Sequence, residues 1–293
     1  MAEQLADLAR MRPEFVRQTG ISKSYGVVEK PLSLLERIYD LSWVRKCFIL
    51  LALAVAWQIY AVQLDNVLLF PTLTQTFNAL VEGIQSGGLL KRAWFSLSLL
   101  LQGYAIGLLL AAVLTGIAIG TQVGQDFLET LTAMFNPLPS IALLPLSLLW
   151  FGLGNASLIF VLIHAVLWAV ALNTHSGFKS VSTTMRMVGR NYGLSGISYI
   201  TKILIPAAFP SILTGLKIGW AFAWRTLIAA ELVFGVSSGS GGLGWYIYEN
   251  KNQLEIPGVF AGLLSVILIG FLVENLIFRV IEARTVKKWG MQN

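Results

Sequence analysis

Arg225 and Glu231 stand inside a long apolar run, where a charge has to be explained. A charged side chain at the centre of a membrane helix costs ~2.5–3.5 kcal/mol or more, so it needs a ligand, a partner or a route to water. The guanidinium of Arg225 is a planar fork of donors that suits planar oxyanions. Two readings fit it: an anion-binding site, or an interhelical ion pair with Glu274. Glu231 lies six residues further on, about 600° of helical rotation away, so the two occupy different faces and pair poorly. Near the end of its run, Glu231 is expected to anchor a gate or cap a helix end. Lys217, near the other end, can extend its ammonium to water, a structural role. His164 sits among apolar residues and reads either as hydrogen-bonded packing or as a ligand along the same path as Arg225. Asn136, just before a Pro-x-Pro, is a further polar candidate for that path. Asn173 and His175 close their apolar run and are expected to cap or hydrate it.

The chemistry that is missing narrows the class. Neither histidine has a second metal ligand at i+3 or i+4, which argues against zinc. Cys47 is the only cysteine, so no disulfide forms within one chain. No Ser/His/Asp or Cys/His constellation stands out. The phosphate loop G-x-x-x-x-G-K-[ST] is absent, since Gly177-Phe-Lys-Ser180 lacks both of its glycines. Gly239-Ser-Gly-Gly-Leu-Gly244 spells G-x-G-x-x-G, but that motif means nucleotide only after a strand of a soluble α/β unit. Between two apolar runs it reads as an outer loop that meets a partner protein, lines an outer gate or merely connects. The expectation is a non-catalytic chain with no cofactor and no metal of its own.

The elements that carry these residues are membrane spans. The chain is 56% hydrophobic and only 12% charged, with mean hydropathy +0.71. Soluble domains carry about 25% charged residues, twice that share. Six apolar runs are long enough to cross a bilayer, at 47–62, 94–120, 127–151, 156–175, 211–234 and 257–283. The fold class is therefore an all-α integral membrane protein with six transmembrane helices. The third run contains Pro137, Pro139 and Pro145, so it is expected to be kinked or unwound in a bundle interior, where neighbours satisfy the freed carbonyls.

Orientation follows from Lys and Arg. With the N-terminus inside, the cytoplasmic pieces hold 16 of them, while the outer pieces hold only Lys91, Arg92 and Lys251. Both termini and the loop 176–210 are thus expected in the cytoplasm. The net charge of +6 does not point to nucleic acid, because the charges collect between and beyond the apolar runs. The expected organisation is a cytoplasmic extension over 1–46, a six-span domain over 47–283 and a cytoplasmic tail over 284–293. Residues 1–46 show no cleavable signal. Within them, 31–46 places Leu34, Leu35, Ile38 and Leu41 opposite Glu36, Arg37 and Asp40, as an interfacial helix or an ordinary amphipathic linker does.

The loop between the fourth and fifth runs has an internal register. From Met187, a glycine follows six residues later (Gly193), an isoleucine ten after that (Ile203), and Ile205-Pro206 closes the stretch. This resembles the cytoplasmic motif of permease subunits of ATP-binding-cassette importers: Glu-Ala-Ala, three residues, Gly, nine residues, Ile, one residue, Leu-Pro. Gly193, Ile203 and Pro206 fall on register, Ile205 replaces leucine, and Met187-Val-Gly189 stands where the family carries Glu-Ala-Ala. Asn136-Pro-Leu-Pro-Ser-Ile-Ala-Leu-Leu-Pro-Leu146, Trp150-Phe-Gly-Leu-Gly154, 204–219 and Ala229-Ala-Glu-Leu232 are similar to the nitrate/sulfonate/taurine/bicarbonate branch. The likeness covers roughly residues 90–285.

The resemblance implies a type I importer permease fold in the bacterial inner (plasma) membrane, working with a second copy as a homodimer. It implies ATPase subunits on the cytoplasmic side at 185–204 and a periplasmic or lipid-anchored substrate-binding protein outside. The cargo it implies is a small anion: nitrate, a sulfonate such as taurine, bicarbonate or an aromatic carboxylate. Membrane lipids surround such a chain, and nucleic acid has no part. In the loop, Met187, Val188, Tyr192 and Leu194 would give apolar contact to the ATPase, and Arg190 would reach a carboxylate. Gly189 and Gly193, with Gly196, would permit close approach and sharp turns, and Pro206 would end the second helix of the loop. Without the acid at 187, docking would lean on apolar packing and Arg190. The competing reading of the loop is a basic segment kept only for topology. The alternative function is an ion-coupled secondary transporter, kept open by Glu231, Glu274 and the kinked third run, although no convincing internal repeat supports it.

Overall fold

The computed structural model describes residues 41–234, 241–288 and 290. The extension 1–46 with its 31–46 helix, and Gly239 of the glycine-rich stretch, lie wholly or largely outside the described residues. Among the described residues the chain is helical, with no strand. Contacts divide it into Met1–Leu53 and Ala54–Asn293. The first of these contributes the start of α1 (Ser42–Leu64).

Five helices are long and apolar enough to cross a membrane: Ser42–Leu64, Gly88–Gly120, Asn155–Ser180, Gly196–Val233 and Ile256–Lys287. A sixth crossing exists if Gln122–Phe135 and Ser140–Phe151 count as one, although they meet at 88°. The fold is thus the all-helical membrane bundle that hydropathy implies. In chain order, α2 is Leu73–Gln85, α3 Gly88–Gly120, α4 Gln122–Phe135, α5 Leu144–Phe151 and α6 Asn155–Ser180. Then come α7 (Thr183–Asn191), α8 (Gly196–Tyr199), α9 (Ile205–Phe234), α10 (Leu243–Asn252), α11 (Ile256–Leu272) and α12 (Arg279–Glu282).

The proline cluster breaks the third run as its chemistry requires. α4 ends at Phe135, Pro139 is extended, and Ser140–Leu143 forms a 3-10 turn. Pro145 then opens α5 in the first turn, where its missing N–H costs nothing. The expectation for Pro206 needs correction. It does not end a helix: α8 runs through a π turn at Ile200–Leu204 directly into α9. There the Ile205 N–H bonds to the Ile200 carbonyl, five residues back. The wider turn moves the preceding carbonyls away from the Pro206 ring, which would otherwise strike one of them. The last span likewise continues past 283, through π turns at Val273–Phe278 and Ala283–Lys287.

Within Ala54–Asn293, α6 is the central helix, packed between α3 and α9. Between helices in lipid no hydrophobic difference drives association, so close backbone approach has to supply dispersion contact. Gly103 and Gly107 of α3 provide it: a Cβ there would come 2.5 Å from Leu162 Cβ and 2.8 Å from Val166 Cβ. On the other side, Gly215 and Gly219 of α9 lie against Asn173 and Val170 of α6. Trp57 secures the end of α1, donating from Nε1 to the Pro71 carbonyl at 2.9 Å and packing on Phe70 and Phe260.

Two expected loners are paired. Lys217 does not simply reach for water; its ammonium meets Glu282 at 2.5 Å and ties α9 to α12. His175 does not merely hydrate a helix end. Its Nε2 lies 3.0 Å from Glu129 of α4, which Lys179 also contacts at 2.7 Å. Asn173 donates back to the Ala169 carbonyl of its own helix.

Candidate functional site

The break after α4 opens a cavity of about 250 Å3. Asn136 and Ser140 of the break, His164 and Trp168 of α6, and Phe222 and Arg225 of α9 all line it. Three of the four residues expected along the path or at its gate, Asn136, His164 and Arg225, thus meet around one space. Glu231 does not join them.

Each polar group of this cavity is held differently. Ser140 Oγ lies 3.1 Å from His164 Nδ1, which fixes the ring across the break. His164 Nε2 and Trp168 Nε1 are buried and meet no hydrogen-bond partner among the described residues. Phe135 stacks on Trp168 at 5.2 Å and 13°, and His164 approaches the same indole edge-on at 6.2 Å. Arg225 is exposed, donates from Nε to the Ala221 carbonyl of its own helix, and sits 5.5 Å from the Phe222 ring.

The pairing of Arg225 with Glu274 is not formed. Both line a second cavity of about 180 Å3 beside Lys217, yet among the described residues no ion pair joins them. Arg225 is turned back onto its own helix, and the last span spends its contact with α9 on Glu282 and Lys217. Sequence reasoning missed Trp168, Phe135 and Ser140. Nothing distinguished two aromatic residues in apolar runs, while Ser140 stood in view beside the prolines.

Glu231 has a different task. It is 2% exposed, and its carboxylate accepts from Ser96 Oγ of α3 at 2.8 Å and from the Gly244 N–H at 2.8 Å. The Leu243 N–H in turn donates to Ser96 Oγ at 2.8 Å. A carboxylate and a hydroxyl therefore take the first free amides of α10, where the helix dipole favours negative charge. Glu231 caps a helix end, though not that of its own helix. Arg92, counted from sequence only among the few outer basic residues, reinforces the clasp by donating to Glu249 at 2.7 Å and to the Gly241 carbonyl.

The loop after α6 is a braced helix–turn–helix. Ser182 Oγ accepts from the Met185 N–H at the start of α7. Arg186 closes the end of α6 by donating to the carbonyls of Phe178 and Val181. Gly193, at φ +70°, turns the chain after α7, and the Leu194 N–H donates back to the Gly189 carbonyl. Gly189 is buried against Tyr199 and Ile203, so close that a Cβ would come 2.9 Å from Ile203 Cγ1. Gly189 and Ile203 thus face each other inside the motif, and Leu194 is half-buried. The outward face is Met185, Met187, Val188 and Tyr192, the last 82% exposed, with Arg190 also exposed. Leu204 and Pro206 lie beneath, where Leu204, Phe178, Val181 and Ala208 make a small core.

Residues 103–287 match the family described as binding-protein-dependent transport system inner membrane component. The taurine transport system permease protein of Escherichia coli is 32% identical over 228 residues, which cover 76% of this chain and 81% of that protein. The nitrate import permease protein of a Synechocystis species is 31% identical over 257 residues, 85% of this chain and 90% of that protein.

Proposed function

Because the chain belongs to the family of inner membrane components of binding-protein-dependent transport systems, we propose that it is the permease subunit of an ATP-driven importer of small anions. Two copies pair about a two-fold axis and enclose the path. An ATPase subunit docks on the 185–204 region of each copy, and its closure on ATP rocks the halves between inward- and outward-open states. A periplasmic or lipid-anchored binding protein delivers cargo at the opposite side. Hydrolysis belongs to the ATPase, and this chain supplies path and coupling.

The observation that carries this reading is the outward face of α7. Met185, Met187, Val188 and Tyr192 are exposed on a helix whose inner side is locked by Gly189, Tyr199 and Ile203. Apolar side chains on a rigid helix outside the bundle suit a groove in a partner rather than a plain connector. The excess of Lys and Arg at 1–46 and 176–210 supports a cytoplasmic position for this helix and both termini. An anionic cargo is supported by Arg225 beside the cavity and by relatives named for taurine and for nitrate.

Replacing Tyr192 with Arg tests the docking. It adds a cation to an exposed position that bears no structural load, so the bundle should fold unchanged. The ATPase subunit should then be lost on size-exclusion chromatography of the detergent-solubilised complex. An ATPase that stays bound in wild-type proportion would contradict the docking face.

A further inference from the structure

The cavity at the break holds more than a cation, and its walls are unusual for a small inorganic ion. Two of the polar groups there offer donors, beside His164 Nε2, whose role follows the tautomer. Trp168 is 8% exposed, and its Nε1, which can only donate, meets no acceptor among the described residues. Among the described residues Arg225 commits only Nε to a hydrogen bond, which leaves its terminal nitrogens for a ligand. Buried donors are seldom left unpaired, so an acceptor-rich ligand fits here. Beside Asn136, Ser140, His164 and Thr226, the lining offers flat apolar faces: the Phe135–Trp168 stack, with Phe222 beneath the guanidinium. A space of about 250 Å3 is far larger than an oxyanion head needs.

We propose that Phe135 and Trp168 are specificity-determining residues that make the permease itself prefer organic sulfonates or carboxylates with a flat or apolar body over inorganic oxyanions such as nitrate. Arg225 and the Trp168 N–H hold the anionic head, and the stacked pair receives the body. The inference rests on the reading of this chain as an anion permease. Aromatic contact adds about three- to tenfold in affinity, which an inorganic anion cannot collect.

The test uses the assembled permease–ATPase complex in nanodiscs without binding protein, with equilibrium binding of labelled benzenesulfonate and nitrate. Benzenesulfonate should bind about tenfold more tightly. Phe135→Leu, at a half-buried position, should weaken benzenesulfonate and leave nitrate within about twofold. Trp168→Phe keeps a stacked ring and removes the N–H, so it should weaken both anions while preserving the preference. Arg225→Ala should weaken both as well. Equal affinities in the wild type, or a Phe135→Leu effect that is the same on both anions, would overturn the proposal. So would the absence of binding by either anion in a complex that still imports one with ATP and its binding protein. Failure of ATP-driven import itself would instead bring down the importer reading beneath it.

Discussion

Gly193 is the residue at which the loop geometry is least negotiable. Its φ of +70° lies in the left-handed region, and no neighbour among the described residues lies within 4 Å of where a Cβ would stand. A side chain there meets no clash with other residues, so its cost comes from the backbone, about 1–2 kcal/mol, more for a β-branched residue. Gly193→Val should therefore leave the bundle intact and misdirect α7, lowering transported anion per ATP hydrolysed in proteoliposomes. An unchanged ratio would show that the turn does not govern coupling. The type and register of this residue were visible in the sequence, and so was the oddity of Arg225. Partners were less visible. Lys217 takes Glu282, while Arg225 turns back onto the Ala221 carbonyl although Glu274 lines the same cavity. Sequence spacing along one helix cannot anticipate such a choice between partners on another. Ser96 was hidden for a simpler reason: a serine in an apolar run, with Ser98 two residues on, looks like any small packing residue.

At the scale of elements, hydropathy located the spans, and proline chemistry located the break that makes the cavity. It did not reveal α2 or α10, which are too polar to register as apolar runs, although Thr72-x-x-Gln75 is a capping box visible by spacing alone. Pro206 misled because a proline usually stops a helix, and here a π turn absorbs it. α10 depends on its neighbours, since its first amides bond to Glu231 of α9 and Ser96 of α3. Glu231→Ala would leave a buried amide and hydroxyl unsatisfied, at ~1–3 kcal/mol. The expected result is a clear fall in thermal midpoint in detergent and faster proteolysis between α9 and α10, with α7 and ATPase association unaffected. A midpoint equal to wild type would mean that the clasp contributes nothing to holding α3, α9 and α10 together.

For the whole molecule, the proposed function has the cavity and the outward face of α7 divide one task. The cavity at the broken span is built from α4, α6 and α9, and α7 is joined to α6 and α9 by the same chain. α6 and α9 pack through Gly215 and Gly219, so on the proposed reading a displacement of α7 would have helices in close backbone contact through which to reach the cavity. That arrangement suits an engine outside the bilayer moving a path inside it. The family match accounts for this division more simply than a secondary transporter does, since Glu274 has no ion pair among the described residues and Glu231 serves as a cap. The most direct measurement is anion uptake by proteoliposomes holding this chain with its ATPase subunits and binding protein, with and without ATP and with the ion gradients dissipated. The account predicts uptake that stops when ATP is withdrawn and continues when the gradients are collapsed. Uptake that survives ATP depletion and disappears with an ion gradient would contradict it.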